Sequence, residues 1–224
     1  SYLVQAPTTT FLLDCGATVL ASMKRDGFDP AAIDYVLLSH LHGDHFAGLP
    51  FLFIEYTYER PRTRPLVIVG PANTAERVQA IYRANYKDLA SKPTPFAIEF
   101  VELEPGRDRT LGALAIHPFR VPHQETEVSL GLHVEVAGKR ILYSGDTGWT
   151  EDLVTQSQGT DLFICECCYF ETRRPFHLDY PQIAANRARF GSKRMVLTHL
   201  GTEVHAHRAE IDMELAHDGL VVEL

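Results

Sequence analysis

Between Ser39 and His45 the chain reads Ser-His-Leu-His-Gly-Asp-His, so His40, His42, Asp44 and His45 crowd one short stretch. Imidazole is the commonest side-chain ligand of transition metals, and carboxylate oxygens complement it where two ions share a site. The apolar run Tyr35-Val36-Leu37-Leu38 just before predicts a buried strand. On extended backbone, His40 and His42 share one side, while Asp44 and His45, after the small Gly43, can turn toward a second ion. The motif by itself suggests a two-metal site. A solvated histidine-rich loop, the competing reading, would not need a strand in front and a helix behind.

Further donors are scattered along the chain. Asp14 closes a strand from Phe11 to Cys15 and is expected to orient the histidine loop by hydrogen bonds rather than to ligate. His123 follows Pro122, whose fixed φ aims it, whereas His117 sits mid-strand and reads as structural. Asp146 lies in the glycine-flanked turn Ser144-Gly145-Asp146-Thr147-Gly148, where a carboxylate can approach two ions closely. Its local competitor is a cap on the helix beginning near Trp149. Glu166 stands in an apolar strand, Thr160 to Cys168, and a buried carboxylate needs a partner or a raised pKa. His177 precedes a helix expected over 181–190, and His199 ends a strand from Arg194 to Leu200. His205 and His207 either line the site's mouth or face solvent, and His133 and His217 carry no expected chemistry.

The elements that must place these groups alternate strand and helix. Helices are expected over 18–25, 46–58 and 74–82, the last opened by an Asn73/Glu76 capping box. Strands are expected at Leu66–Gly70, 96–101 and 110–121, with a hairpin of Ser129–Val136 and Arg140–Ser144 about Ala137-Gly138-Lys139. Arg60, Arg62 and Arg64, interleaved with Pro61 and Pro65, read as a solvated basic loop or a phosphate-attracting rim. Near the end an amphipathic helix is expected around Ile211, Met213 and Leu215, then a strand from Leu220 to Leu224.

Bulk properties narrow the classes. A length of 224 residues with 45% apolar content suits one domain spanning 1–224. A net charge of −8 argues against generic binding to nucleic acid or an anionic membrane. Cys15, Cys165, Cys167 and Cys168 form no Cys-x-x-Cys pair and read as reduced thiols, hence a cytoplasmic location. No stretch approaches the length of a membrane span. The chain opens at Ser1 already inside an expected strand, so upstream strands are expected to precede it.

With these residues collected, the chain resembles the metallo-β-lactamase fold superfamily, through His40-x-His42-x-Asp44-His45, His123, Asp146 and His199 in order. The resemblance implies an α/β fold (α+β in some schemes), a four-layer αββα sandwich, with its N-terminal strands missing here. It further implies two divalent ions, zinc or else manganese or iron. His40, His42 and His123 would hold one, Asp44, His45 and His199 the other, with Asp146 bridging. Ser-His-Leu-His-Gly-Asp-His, Ser-Gly-Asp-Thr and Leu-Thr-His-Leu look like the RNase Z branch, and the spacing of His205 and His207 after His199 resembles its cyclic-phosphate phosphodiesterases. Catalysis would rest on Asp44, Glu166 and His177, although Cys-Glu-Cys-Cys replaces that branch's His-Glu-Ala-Thr. The long arm of tRNA-processing RNase Z has no room in the plain hairpin between His123 and Asp146, so tRNA is not expected. The resemblance therefore implies a small phosphodiester or cyclic phosphate, cleaved by a metal-bridged hydroxide; a homodimer follows by family analogy. Carbonyl-ester hydrolysis (lactonase, glyoxalase II-like thioesterase, β-lactamase) is the alternative activity, and an idle metal-binding or interaction protein the alternative class.

Overall fold

Tyr2–Ala6 (β1) and Thr9–Leu13 (β2) pair antiparallel in a computed structural model that describes Ser1–Leu224. The chain divides into two units, Ser1–Leu103 and Glu104–Leu224. In the first, Val19–Arg25 (α1) and a 3-10 turn at Pro30–Ala32 lead to Tyr35–Leu37 (β3). Gly43–Phe46 (α2), Leu49–Ile54 (α3) and a π-helical turn, Glu55–Glu59, precede Leu66–Gly70 (β4). Thr74–Asn85 (α4), Lys87–Ala90 (α5) and Ile98–Glu102 (β5) complete it. The sheet order is β1-β2-β3-β4-β5, with β2 to β5 parallel. Parallel strands are covered on both faces, which explains the unbroken apolar runs of β3 and β4. Leu12, Val36 and Ile68 meet Leu49, Leu52, Phe53 and Tyr56 in one buried cluster, so the aromatic-rich segment after the histidines is core.

Two local expectations give way here. Asn73 has φ 70° and makes no side-chain cap; its N–H instead donates to Glu102 Oε1 at 2.9 Å. An N-cap side chain needs extended backbone to reach the first turn, which a left-handed residue does not supply. Arg62 is not a solvated rim residue. It is 4% exposed, donates to the carbonyls of Ile33, Arg64 and Pro65 at 2.6–2.8 Å, and lies over the Tyr56 ring. Arg64 pairs with Asp34.

The second unit begins with Arg109–Leu111 (β6) and Leu114–Val121 (β7), an antiparallel pair where one strand was expected. Gly112, at φ 55°, supplies the left-handed residue that reverses the chain. Ser129–Val136 (β8) and Lys139–Tyr143 (β9) form the expected hairpin. Glu151–Ser157 (α6), Leu162–Glu166 (β10), Tyr180–Asn186 (α7), Arg194–Thr198 (β11), Thr202–Ala206 (α8) and Glu214–Leu215 (β12) follow. The order is β12-β11-β10-β9-β8-β7-β6. Strands β9 to β12 are parallel, and β7 runs with them because it and β9 flank the antiparallel β8. The C-terminal ends of β7, β9, β10 and β11 therefore lie along one edge of this sheet.

No helix covers Ile211 to Leu215. Only Glu214–Leu215 forms a strand, β12, which pairs with β11, and Ile211 and Met213 lie in the irregular segment before it. Leu220–Leu224 joins no sheet, and Val221 is 69% exposed. No helix is long and apolar enough to cross a membrane.

Candidate metal centre

In the first unit the donors sit where β2 and β3 end side by side. The Asp14 N–H donates to Leu37 O at 2.8 Å, and Cys15 N–H to His45 O at 2.6 Å, tying the end of β2 to the histidine loop. Asp14, in the left-handed region at φ 57°, turns its carboxylate onto that loop. Its Oδ1 accepts Ser39 N–H at 2.7 Å, and its Oδ2 accepts Ser39 Oγ at 2.8 Å and His45 Nδ1 at 2.7 Å. The Ser39 hydroxyl spends its one proton on Asp14, so at 3.1 Å it accepts from His40 Nδ1. Both rings thereby carry their proton on Nδ1 and present Nε2, the tautomer a ligating histidine needs. Asp14 thus orients the loop, as its position suggested. His40 and His42 offer ligand atoms within 4.8 Å of one another, and His45 Nε2 lies 3.4 Å from Asp44 Oδ2. His40 and His45 are buried; His42 and Asp44 are exposed.

In the second unit the shared sheet edge gathers the rest. His123 follows β7, Asp146 follows β9, Glu166 ends β10 and His199 follows β11. His123 donates from Nδ1 to Phe176 O at 3.0 Å, again presenting Nε2, which stands 4.0 Å from Asp146 Oδ2. The same Asp146 oxygen is 3.1 Å from His199 Nε2. Asp146 does not cap α6: that role belongs to Thr150, whose hydroxyl accepts Asp152 N–H at 3.3 Å. His199 is left-handed at φ 52°, an uncommon conformation that aims its ring from a strand end.

Beside them His177 donates from Nδ1 to Glu166 at 3.1 Å, and its ring stacks on His199 with centroids 5.5 Å apart. Glu166 is fully buried and accepts Thr147 N–H and, at 3.4 Å, Leu178 N–H. Burial pushes its carboxyl above the usual range, and the His177 bond only partly offsets that. Burial alone would lower the His177 pKa, but Glu166 and the nearby Asp146 charge raise it overall, favouring a protonated ring. Glu203 fixes the segment between Glu166 and His177: its Oε2 accepts the N–H groups of Phe170, Glu171 and Thr172, each at 3.1 Å.

The donor chemistry of both units suits divalent transition metals: imidazole nitrogens oriented by hydrogen bonds, with carboxylate oxygens alongside. The remaining histidines lie elsewhere. His117 pairs with Asp108, His133 faces it across β7 and β8, and His217 is exposed. His205 is exposed, and His207 stacks on Phe170 at 4.3 Å. A cavity of about 340 Å³ in the first unit, lined by Phe53, Val78, Tyr82 and Phe96, carries no group suited to hydrolysis. The roles of Ser39 and Glu203 escaped the sequence, because a serine and a surface-patterned glutamate give no signal of their own.

The profile of the beta-lactamase superfamily domain matches residues 9–200. The chain belongs to the metallo-β-lactamase superfamily. It is 35% identical over 207 residues to the uncharacterized protein Rv1339 of Mycobacterium tuberculosis, covering 89% of this chain and 73% of that one. It is 30% identical over 219 residues to ribonuclease Z of Mycobacterium bovis, covering 89% and 78%. The human short-form tRNase Z shares the fold, with TM-score 0.79 and 21% identity over 99% of this chain and 90% of that one. This metallo-β-lactamase family member is thus a hydrolase of the RNase Z-like branch, and its α/β fold of two sheets is the one the sequence implied.

Proposed function

We propose that the chain is a dinuclear metal-dependent phosphodiesterase acting on a small phosphodiester or cyclic phosphate. The observation that carries this reading is the Glu166–His177 pair, 3.1 Å apart and beside His123, Asp146 and His199. A buried carboxylate that accepts an imidazole N–H and raises the ring's pKa at a metal-ligand edge is suited to helping it give a proton to a departing alkoxide. The kinship with a protein named ribonuclease Z supports phosphorus as the centre attacked. The tight turn at Ala137-Gly138 leaves a plain hairpin between His123 and Asp146, which supports a small substrate over tRNA.

In this reading His40, His42 and His123 would hold one cation and Asp44, His45 and His199 the other, with Asp146 available to both. Two divalent ions, zinc with manganese or iron as alternatives, would acidify a water and neutralise phosphate oxygens. The residues do the rest. Asp14 and Ser39 keep His45 and His40 in the ligating tautomer. Glu166 aims His177 and stabilises its charged form, and His177 delivers its proton as the ester oxygen departs.

The test compares metal-loaded protein on bis-p-nitrophenyl phosphate, a thioester and a lactone. Two cations per chain with preferential phosphodiester turnover is expected. Preferential carbonyl-ester turnover, or two bound cations with no hydrolysis, overturns the reading.

A further inference from the structure

We propose that Glu166, Cys168 and His177, clustered beside His199, form a further cation site, selective for one soft divalent ion, whose occupancy removes His177 from catalysis. One ligand atom from each of these four residues lies within 4.8 Å of the others. Thiolate, imidazole and carboxylate together are a donor set for zinc or cadmium, whereas magnesium and calcium require oxygen alone.

The backbone builds this cluster. Beyond β10, Cys168 and Tyr169 both donate to Leu178 O, at 3.1 and 3.2 Å, while Tyr180 donates to Tyr169 O at 2.9 Å. That pairing sets Cys168 alongside the residues that follow His177. On the other flank the turn after His199 packs onto Cys168: a Cβ at Gly201 would collide with the Cys168 carbonyl and lie 3.7 Å from its Sγ. The other thiols are unsuited. Cys15 and Cys165 are fully buried, and burial pushes the Cys167 thiol up to about 12. Cys168 is half-buried.

With His199 engaged elsewhere, Glu166, Cys168 and His177 leave a fourth tetrahedral position for water. Binding sends the thiol proton, and the proton His177 shares with Glu166, to solvent. The imidazole then has nothing to donate. The inhibition rests on the proposed role of His177; the binding does not.

Cadmium titrated into the full chain loaded with two zinc ions tests both, with the ultraviolet thiolate-to-cadmium charge-transfer band followed beside turnover of a phosphodiester that releases an alkyl alkoxide. None of the ligands assigned to the metal pair is a thiolate, so the band reports Cys168. One equivalent of signal per chain with a parallel fall in turnover is expected. Cys168→Ser should keep the two zinc ions of the metal pair and its turnover without cadmium, lose the band, and raise the inhibitory cadmium concentration by about 10-fold or more. Absence of the band from the natural protein, or its persistence in Cys168→Ser, overturns the site. A full band without inhibition upholds the site and contradicts the role given to His177.

Discussion

Asp14 Oδ2 accepts His45 Nδ1 at 2.7 Å with both side chains buried, so an acid at the end of β2 sets the histidine loop's chemistry. Removing a carboxylate that orients a ligating histidine typically costs about 10–100-fold in metal affinity. Asp14→Ala is expected to weaken metal binding by that factor, read by competition with a chromophoric chelator. Unchanged affinity would show that the loop is rigid without it.

The loop is also fixed by close backbone approach. A Cβ at Gly48 would collide with Gly16 O and reach 2.8 Å from Cys15 O, while one at Gly43 meets nothing within 4 Å. Gly48→Ala should destabilise by about 1–3 kcal/mol in urea unfolding, whereas Gly43→Ala should change stability by less than about 0.5 kcal/mol. Equal effects at the two positions would contradict the packing described.

Arg62 holds the carbonyls of Ile33, Arg64 and Pro65 in a buried setting. Stripping a charged donor from several buried acceptors is costly, and Arg62→Ala should destabilise the fold by about 3 kcal/mol. Activity per folded molecule should stay unchanged. A selective loss of phosphodiester affinity would restore the phosphate-rim reading.

Glu203 is lowered from the usual 4.5 to about 2, first by the Thr172 hydroxyl and then by the backbone N–H groups around it. A carboxyl depressed on folding contributes stability that is complete above pH 4.5 and fades as pH falls toward 2. Glu203→Gln should therefore be less stable than the natural protein at neutral pH, with the gap closing near pH 2. A constant gap across that window would exclude the carboxylate charge as its cause.

The sequence was most readable where donors follow strand ends. His40 after β3, His123 after β7, Asp146 after β9 and His199 after β11 all carried local signals, because a strand's apolar run and its terminus are short-range features. Arg62 reads as solvated from sequence because its acceptor Ile33 lies far off along the chain, and three arginines among prolines carry no local sign of burial. Ile211, Met213 and Leu215 suggest a helical face by composition, but their spacing of two does not fit a helix, and only Leu215 among them enters a strand, β12. Asn73 fits a capping pattern by composition, but its left-handed backbone is set by the turn after Pro71. Cys168 showed only as a departure from a family motif, and its place among Glu166, His177 and His199 needed the fold.

The claim that His177 protonates the leaving group is tested most directly by leaving-group dependence. The kcat of the natural protein and of His177→Ala is measured on two phosphodiesters, one releasing p-nitrophenolate and one an alkyl alkoxide. The alkoxide needs the proton and the nitrophenolate does not, so the substitution should cost about 10²–10⁴-fold on the first and less than about 10-fold on the second. An equal loss on both substrates would contradict the account.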